Sequence, residues 1–331
     1  MSSPAAVPSA AFAETGLSVD GLWHGTFRSM ASPVRVQLGP DTDEPEVLHR
    51  QVRALFGEVD RQCTRFDPDS DLMRANAAAK DWYAVGELCF TALREAERAH
   101  RRTDGWFDPR VLRTLVELGY GSTLPFADGR VDVGPRPERF RPAGKQWRPK
   151  FDGAGQRVRV GGKPVDLGGI GKGLALRWAA DALRRARCAT FLIDAGGDCV
   201  FSGAGPGGEG WYIGVEDPAG GDDPVAVLRV DEGACATSST RLLSWRAGER
   251  TVHHLIDPHT GRPGGAGLRS VTVLGSKPDR AEVWSKVLFL HGADQIAKAA
   301  RERGLAALWV HTDGRVGMTS AMRTSVIWDR L

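Results

Sequence analysis

Three short stretches gather side chains capable of chemistry. The first is Val165-Asp166-Leu167-Gly168-Gly169-Ile170-Gly171-Lys172-Gly173. Glycines ahead of a helix expose backbone N–H groups, a helix N-terminus attracts anions, and a lysine adds a mobile positive charge. With Asp166 before the glycines and Lys172 opening the helix, this reads as a phosphate cradle. It reads equally as a tight strand-to-helix turn with a solvated lysine. The second stretch, His254-Leu255-Ile256-Asp257-Pro258-His259-Thr260-Gly261-Arg262-Pro263, packs an imidazole, a carboxylate and turn residues into ten positions. A histidine titrates near neutrality and serves as a general base; the plainer alternative is a loop histidine. The third, Ile193-Asp194-Ala195-Gly196-Gly197-Asp198, puts small residues at a strand end, where a planar ligand or another backbone can approach. Taken alone, it is a glycine turn.

Other labels fail on context. Gly203–Gly208 spells G-x-G-x-x-G, but strand-like residues follow it instead of a helix, which removes the dinucleotide-binding reading. The Gly171-Lys172 pair lacks the Ser or Thr of a P-loop at position 173, and position 166 is Asp. No H-E-x-x-H or Cys/His cluster supports zinc. Phe66–Leu72 and Thr103–Pro109 set carboxylates beside aromatics, and the first ends near Asn76, the only asparagine in the chain. Each alone is explained by capping and turn chemistry.

These segments need elements to hold them. Alternation predicts a strand over 34–38. Val52, Leu55, Phe56, Val59 and Cys63 recur at helical spacing and predict a helix over 46–62. Helices are expected over 86–101, briefly after Pro109, and over 172–187, 279–291 and 293–303. Strands are expected over 190–194, 211–215, 225–230, 270–274 and 306–311. Residues 121–163 are Gly/Pro/Arg-rich and read as an irregular segment, and 1–19 as a flexible tail. No regular βαβ alternation is present, which favours α+β.

Composition bounds the class. The 331 residues are 41% hydrophobic and 26% charged, an ordinary globular balance. The 44 Lys and Arg against 41 Asp and Glu give +3, no polyelectrolyte signature for nucleic acid. No apolar run approaches the ~20 residues of an integral membrane segment. Residues 1–20 carry no Lys, Arg or long apolar core, and no cysteine precedes Cys63, which argues against a secretory signal or lipid anchor. Five scattered cysteines without C-x-x-C read as reduced thiols in a cytoplasmic protein.

In this order, the segments resemble the ApbE family of flavin transferases. VDLGGIGKG (165–173) is similar to the family's V-D-L-G-G-I-A-K-G, IDAGGD (193–198) to I-N-A-G-G-D, and HLIDPHTGRP (254–263) to H-I-I-D-P-R-T-G-x-P. RFDPDSDLMRAN (65–76) and TDGWFDP (103–109) match two further motifs, so the resemblance runs from about 27 to 322. It implies a T-fold-type α+β architecture over 20–331, with mixed or antiparallel sheets flanked by helices. Two intimately packed domains would hold FAD between them.

The implied activity cleaves the FAD pyrophosphate and attaches FMN to a Thr of a partner flavoprotein, a redox subunit, releasing AMP with the help of Mg²⁺. Phosphoryl transfer of this kind needs positioning and charge neutralisation more than covalent catalysis. By resemblance, Lys172 and the turn around Gly169 hold the pyrophosphate. Asp166, Trp106, Phe107 and Asp108 bind the flavin side or the ribityl hydroxyls. Gly196 and Gly197 admit the flavin or adenine, and Met30 and Thr237 complete the cofactor contacts. His254 is the base for the Thr hydroxyl, and Asp257 orders its loop.

The sequence departs from the family at the metal. The usual Asp and Thr, which bind Mg²⁺ beside a backbone carbonyl near Gly169, are replaced by Glu282 and Lys286. Ser285 offers another oxygen. Either Lys286 pairs with Glu282 one helical turn away, or its ammonium faces the phosphates in place of the metal. Met30-Ala31-Ser32 stands for Met-Gly-Thr, Asp194 for Asn, and the turn expected at 237–240 lacks its usual Gly. A non-transferring FAD-binding protein and an FAD pyrophosphatase are the alternatives.

Overall fold

The computed structural model describes residues 16–17, 21–78, 80–124, 131–134, 141–144 and 146–330. The tail expected over 1–19 lies outside these residues except for Gly16–Leu17. β1 (Gly16–Leu17), β2 (Trp23–Ser29) and β3 (Ser32–Leu38) lead into α1 (Pro45–Cys63), α2 (Asp71–Ala78), β4 (Tyr83–Ala84) and α3 (Glu87–Arg102). Next come α4 (Leu112–Glu117), β5 (Lys150–Asp152), β6 (Arg157–Arg159), α5 (Gly171–Arg185), β7 (Phe191–Ala195) and β8 (Asp198–Ser202). β9 (Trp211–Val215), β10 (Ala226–Val230), β11 (Gly233–Ser239), β12 (Ser244–Ala247), β13 (Arg250–His253) and β14 (Leu268–Gly275) follow. The chain closes with α6 (Pro278–Leu290), α7 (Gly292–Glu302), β15 (Ala306–His311), β16 (Val316–Met318), α8 (Ser320–Arg323) and β17 (Val326–Asp329).

The architecture is α+β. One nine-stranded sheet runs β1-β2-β3-β7-β8-β11-β14-β15-β16. All its neighbours are antiparallel. Side chains alternate across it, as the period of a strand requires. On β8, Val200 faces the helices, while Cys199 and Phe201 face the smaller sheet β17-β10-β9. On β14, Val271 and Val273 pack against Ala281 and Leu288 of α6. Helices α1, α5 and α6 cover the first face, where Val52, Phe56, Leu174 and Val287 join Val34 and Val36 in one core. Each large side chain buried there contributes roughly 1.5–3 kcal/mol.

The apolar periodicities reproduce the expected helices and strands to within a few residues. Three differences have physical causes. Within 121–163, β5 and β6 pair with each other and join β4 in a small sheet. Three-residue strands are too short to show an alternating pattern. The turn expected at 237–240 is mostly the end of β11, a strand of Gly, Ala, Cys, Thr and Ser. Its small residues let α6 pack closely, shown by the 2.9 Å contact between Ser238 Oγ and Ser285 Oγ. The short strands β12 and β13 form a hairpin that leads directly into His254. All five cysteines are free and buried; Cys199 and Cys235 stand opposite each other across β8 and β11. No helix among the described residues is long and apolar enough to cross a membrane.

Candidate functional site

One cleft is lined by Trp106, Phe107, Asp108, Asp166, Gly169, His254 and Lys286, together with Pro109, Val111, Ile256 and Leu290. Four distant stretches of chain thus meet in one place. Each is held there by identifiable contacts.

The aromatic wall follows α3. His100 Nδ1 donates to the Phe107 carbonyl at 3.0 Å, and Thr103 Oγ1 accepts from the Phe107 N–H at 3.0 Å. Trp106 stacks on His291, with ring centroids 4.0 Å apart and planes at 26°, and meets His259 at 4.6 Å. Asp108 is buried and its carboxylate is engaged: Arg110 binds it through Nε at 2.9 Å and Nη2 at 2.6 Å.

Asp166 enters from the segment before α5. Its N–H donates to the Pro109 carbonyl at 2.7 Å, joining it to the aromatic wall. Its Oδ1 accepts from the Gly168 N–H at 3.2 Å and lies 3.7 Å from Arg65 Nε. Arg65 is itself fixed by Phe66 and Tyr120, whose ring centroids lie 4.1 and 4.2 Å from its guanidinium carbon.

The glycine turn is the tight turn of the two alternatives. The Ile170 and Gly171 N–H groups both reach the Leu167 carbonyl, and the Gly173 N–H donates to Glu282 Oε2 at 2.7 Å. The Gly173 N–H in the first turn of α5 is therefore already taken by a side chain of the protein itself. Lys172 does not line the cleft. Its Nζ lies 2.5 Å from Asp198 Oδ2, and the surrounding carboxylates Asp198, Glu282 and Asp194 hold its pKa above the usual lysine value despite burial.

Met30, Gly196 and Gly197 also lie off the cleft, at two hairpin tips near this lysine. Met30 and Ala31 both have positive φ, 50° and 59°, at the β2–β3 tip. Gly196 and Gly197, at φ 67° and 93°, make the β7–β8 turn, whose geometry favours two left-handed residues. Asp194 Oδ1 accepts from the Gly197 N–H at 2.8 Å. Thr237 donates its N–H to Asp198 Oδ1 at 3.0 Å, but its hydroxyl bonds Thr272 at 2.9 Å, on the sheet face away from α6. Its neighbour Ser238 faces α6.

His254 follows β13. Its Nδ1 is 3.3 Å from the Leu243 carbonyl, which can only accept, so Nδ1 carries the proton and Nε2 keeps its lone pair. Burial, and then the charge of Lys286, push its pKa from 6.5 down to about 3. Asp257 does not touch this ring. It builds the following turn, accepting from the His259 N–H at 2.8 Å and Thr260 Oγ1 at 3.0 Å.

α6 is buried on nearly all sides, so its polar residues need partners. Burial, then the charge of Asp198, raise Glu282 from 4.5 to about 8. The expected pairing of Lys286 with Glu282 is not made within ion-pair distance; Lys286 Nζ lies against Gly169 instead. Ser285 Oγ donates to the Glu282 carbonyl at 3.0 Å and contacts Ser238 Oγ at 2.9 Å.

Magnesium prefers an octahedral set of oxygen ligands. Here Ser285 Oγ is occupied, Glu282 is held near a protonated state, and an ammonium stands beside Gly169. These residues fit a magnesium ion poorly. Among the described residues, no group of three or more His, Cys, Asp or Glu side chains could hold a metal.

Residues that sequence reasoning overlooked include Arg65, Asp198 and Ser238. Asp198 closes the I-D-A-G-G-D match, so position was the available signal. Ser238 had none, because only the strand's register decides which of two adjacent hydroxyls faces the helix.

The chain resembles known proteins along most of its length. A Klebsiella pneumoniae protein named FAD:protein FMN transferase is 26% identical over 332 residues, covering 96% of this chain and 91% of its own. A Salmonella typhimurium protein of the same name is 25% identical over 317 residues, covering 92% and 89%. Among solved structures, the ApbE protein of Thermotoga maritima matches with a TM-score of 0.77 at 25% identity, over 92% of this chain and 99% of its own. The Vibrio cholerae flavin transferase ApbE shares the fold, with a TM-score of 0.74 at 22% identity, over 91% and 98%. The ApbE family matches residues 30–309, and with the fold and the collinear motifs this establishes that the chain belongs to the ApbE family.

Proposed function

We propose that this protein is an FAD:protein FMN transferase whose donor, FAD, occupies the cleft between the Trp106–Asp108 loop and α6. The observation that carries the reading is the meeting of His254, Asp166 and Lys286 with two aromatic side chains in one cleft. Trp106 and Phe107 suit a planar flavin, Asp166 suits a hydroxyl donor, and Lys286 suits a phosphate. The acceptor is a Thr side chain of a redox flavoprotein. Its hydroxyl oxygen bonds to the FMN-side phosphorus, the bridging P–O bond breaks, and AMP leaves with the bridging oxygen. The hydroxyl proton passes to His254 Nε2, whose lone pair the Leu243 contact keeps free.

Lys172 and the hairpin tips carrying Met30, Gly196 and Gly197, which lie off this cleft, would receive the adenylate end. The cleft draws on residues from 106 to 290, all within the region 20–331 assigned to the flavin-transferase unit. Five free, buried cysteines support a reducing, cytoplasmic setting. No observation favours the non-transferring alternative.

The test is incubation with FAD and a Thr-containing acceptor peptide, followed by chromatography for AMP and FMN-peptide. Equal amounts of both products are expected, with His254→Ala losing about a hundredfold or more in rate while still binding FAD. Intact FAD, or full transfer by His254→Ala, overturns the respective assignment.

A further inference from the structure

Lys286 is placed unlike an ordinary helix-surface lysine. It projects from a helix buried on nearly all sides, and its ammonium rests so close to Gly169 that a Cβ there would overlap it. Phe107 Cε2 lies 3.2 Å from the same point, so the ammonium and the aromatic ring crowd one spot on the cleft wall. Among the described residues, Lys286 has no hydrogen-bond or ion-pair partner within contact distance. The neighbouring polar groups are already committed. Glu282 receives the Gly173 N–H, Lys172 is paired with Asp198, and Asp166 leans on Arg65. Lys286 is thus the cation on the cleft wall left for an anionic ligand, and it stands where a metal beside Gly169 would be repelled.

We propose that the Lys286 ammonium neutralises the pyrophosphate in this cleft in place of a divalent cation, so that FAD is bound and cleaved without a metal. The proposal rests on the flavin-transferase reading. The bond changes are those given above: the P–O bond to the hydroxyl forms, the bridging P–O bond breaks, and the proton goes to His254. Burial lowers the pKa of Lys286 from the usual lysine value while Glu282 and Asp166 pull it back up; as the ammonium it brings charge and up to three N–H donors to the phosphate oxygens.

The test measures FAD binding by the full chain with isothermal titration calorimetry, in EDTA and in Mg²⁺, for the wild type, Lys286→Met and Lys286→Arg. Thermal melts check that each variant folds. Wild-type affinity in EDTA is expected within about threefold of that in Mg²⁺. Lys286→Met should weaken binding in EDTA about tenfold or more, and Lys286→Arg, which keeps the charge, should recover most of it. A titration of the wild type with Mn²⁺ in the presence of FAD, read by electron paramagnetic resonance, should show no stoichiometric site. FAD binding only with Mg²⁺, stoichiometric Mn²⁺, or unchanged binding by Lys286→Met each overturns the proposal and leaves the flavin-transferase reading standing. Absence of FAD binding in both buffers overturns that reading and the proposal together.

Discussion

The Asn76 side chain and the Val165 backbone exchange two hydrogen bonds. Asn76 Nδ2 donates to the Val165 carbonyl at 2.8 Å, and the Val165 N–H donates to Asn76 Oδ1 at 2.8 Å. An amide is the side chain that offers both a donor and an acceptor in this spacing, which accounts for the chain's only asparagine. The contact ties α2 to the residue just before Asp166, and so sets where that carboxylate enters the cleft.

Asn76→Ala should therefore act on two properties at once. Losing both bonds leaves a backbone donor and acceptor unpaired, a cost of about 2 kcal/mol by denaturant titration. FAD affinity should fall about tenfold, because Asp166 loses its anchor. Asn76→Asp should also fail, since it removes the donor and faces a carbonyl with a charge. Unchanged FAD affinity in a folded Asn76→Ala protein would show that Asp166 is positioned by other contacts.

The histidine makes a pH prediction with a defined sign. His254 in the free protein is held at about 3 instead of 6.5, so it is neutral throughout the physiological range. The acid limb of kcat/KM, which reports the free protein, should show no loss assignable to His254 between about pH 5 and 7. Bound phosphate offsets the charge of Lys286, so the limb seen in kcat should lie at higher pH than that in kcat/KM. Stability follows the same linkage. Below 6.5 the unfolded chain takes up a proton that the folded chain refuses, so stability falls as pH drops from about 6.5 towards about 3. Comparison of melts for the wild type and His254→Asn across this window measures it; identical pH slopes would contradict the assignment.

Glu282 has the opposite sign. Its carboxyl is raised from 4.5 to about 8, so between these values the folded state holds a proton that the unfolded state releases. The stabilisation this represents is present below about 4.5 and is lost as pH rises through about 8. Glu282→Gln keeps an oxygen for the Gly173 N–H and removes the titration. Its melting temperature relative to wild type should rise by about 2 °C or more between pH 5 and pH 8.5. A difference that does not change with pH would contradict a proton held at this site.

Gly173 marks the closest approach of α5 and α6. A Cβ there would lie 2.5 Å from Asp279 Cα and 2.7 Å from the Pro278 carbonyl oxygen, both backbone atoms that cannot rotate away. Gly173→Ala should cost about 1–3 kcal/mol by overpacking, and should weaken FAD binding because α6 carries Lys286. Gly162→Ala, where the nearest contact is the Lys80 Cε at 4.0 Å, is the control expected to change neither property. Wild-type stability in Gly173→Ala would mean that the two helices separate without cost.

Several features were legible in the linear chain for local reasons. α1 declares itself through Val52, Phe56 and Val59, all buried in the structure, because helical periodicity depends on near neighbours alone. The β7 strand and the glycine pair after it are equally local, since the hairpin needs two left-handed residues. The types of chemistry were visible too, as an imidazole beside turn residues and a lysine behind glycines. Tertiary structure decided which of these groups face one another. The choice of Ser238 over Thr237 depends on strand register, and a shift of one residue exchanges the two faces. Lys172 is taken by Asp198, and Glu282 by Gly173, through contacts between chain segments far apart in sequence. Lys286 turns to Gly169 and away from Glu282 because a half-buried side chain follows the space and charge around it. The residue types are local and were readable from the sequence; the partners are long-range, and only the packed sheet and helices select among them.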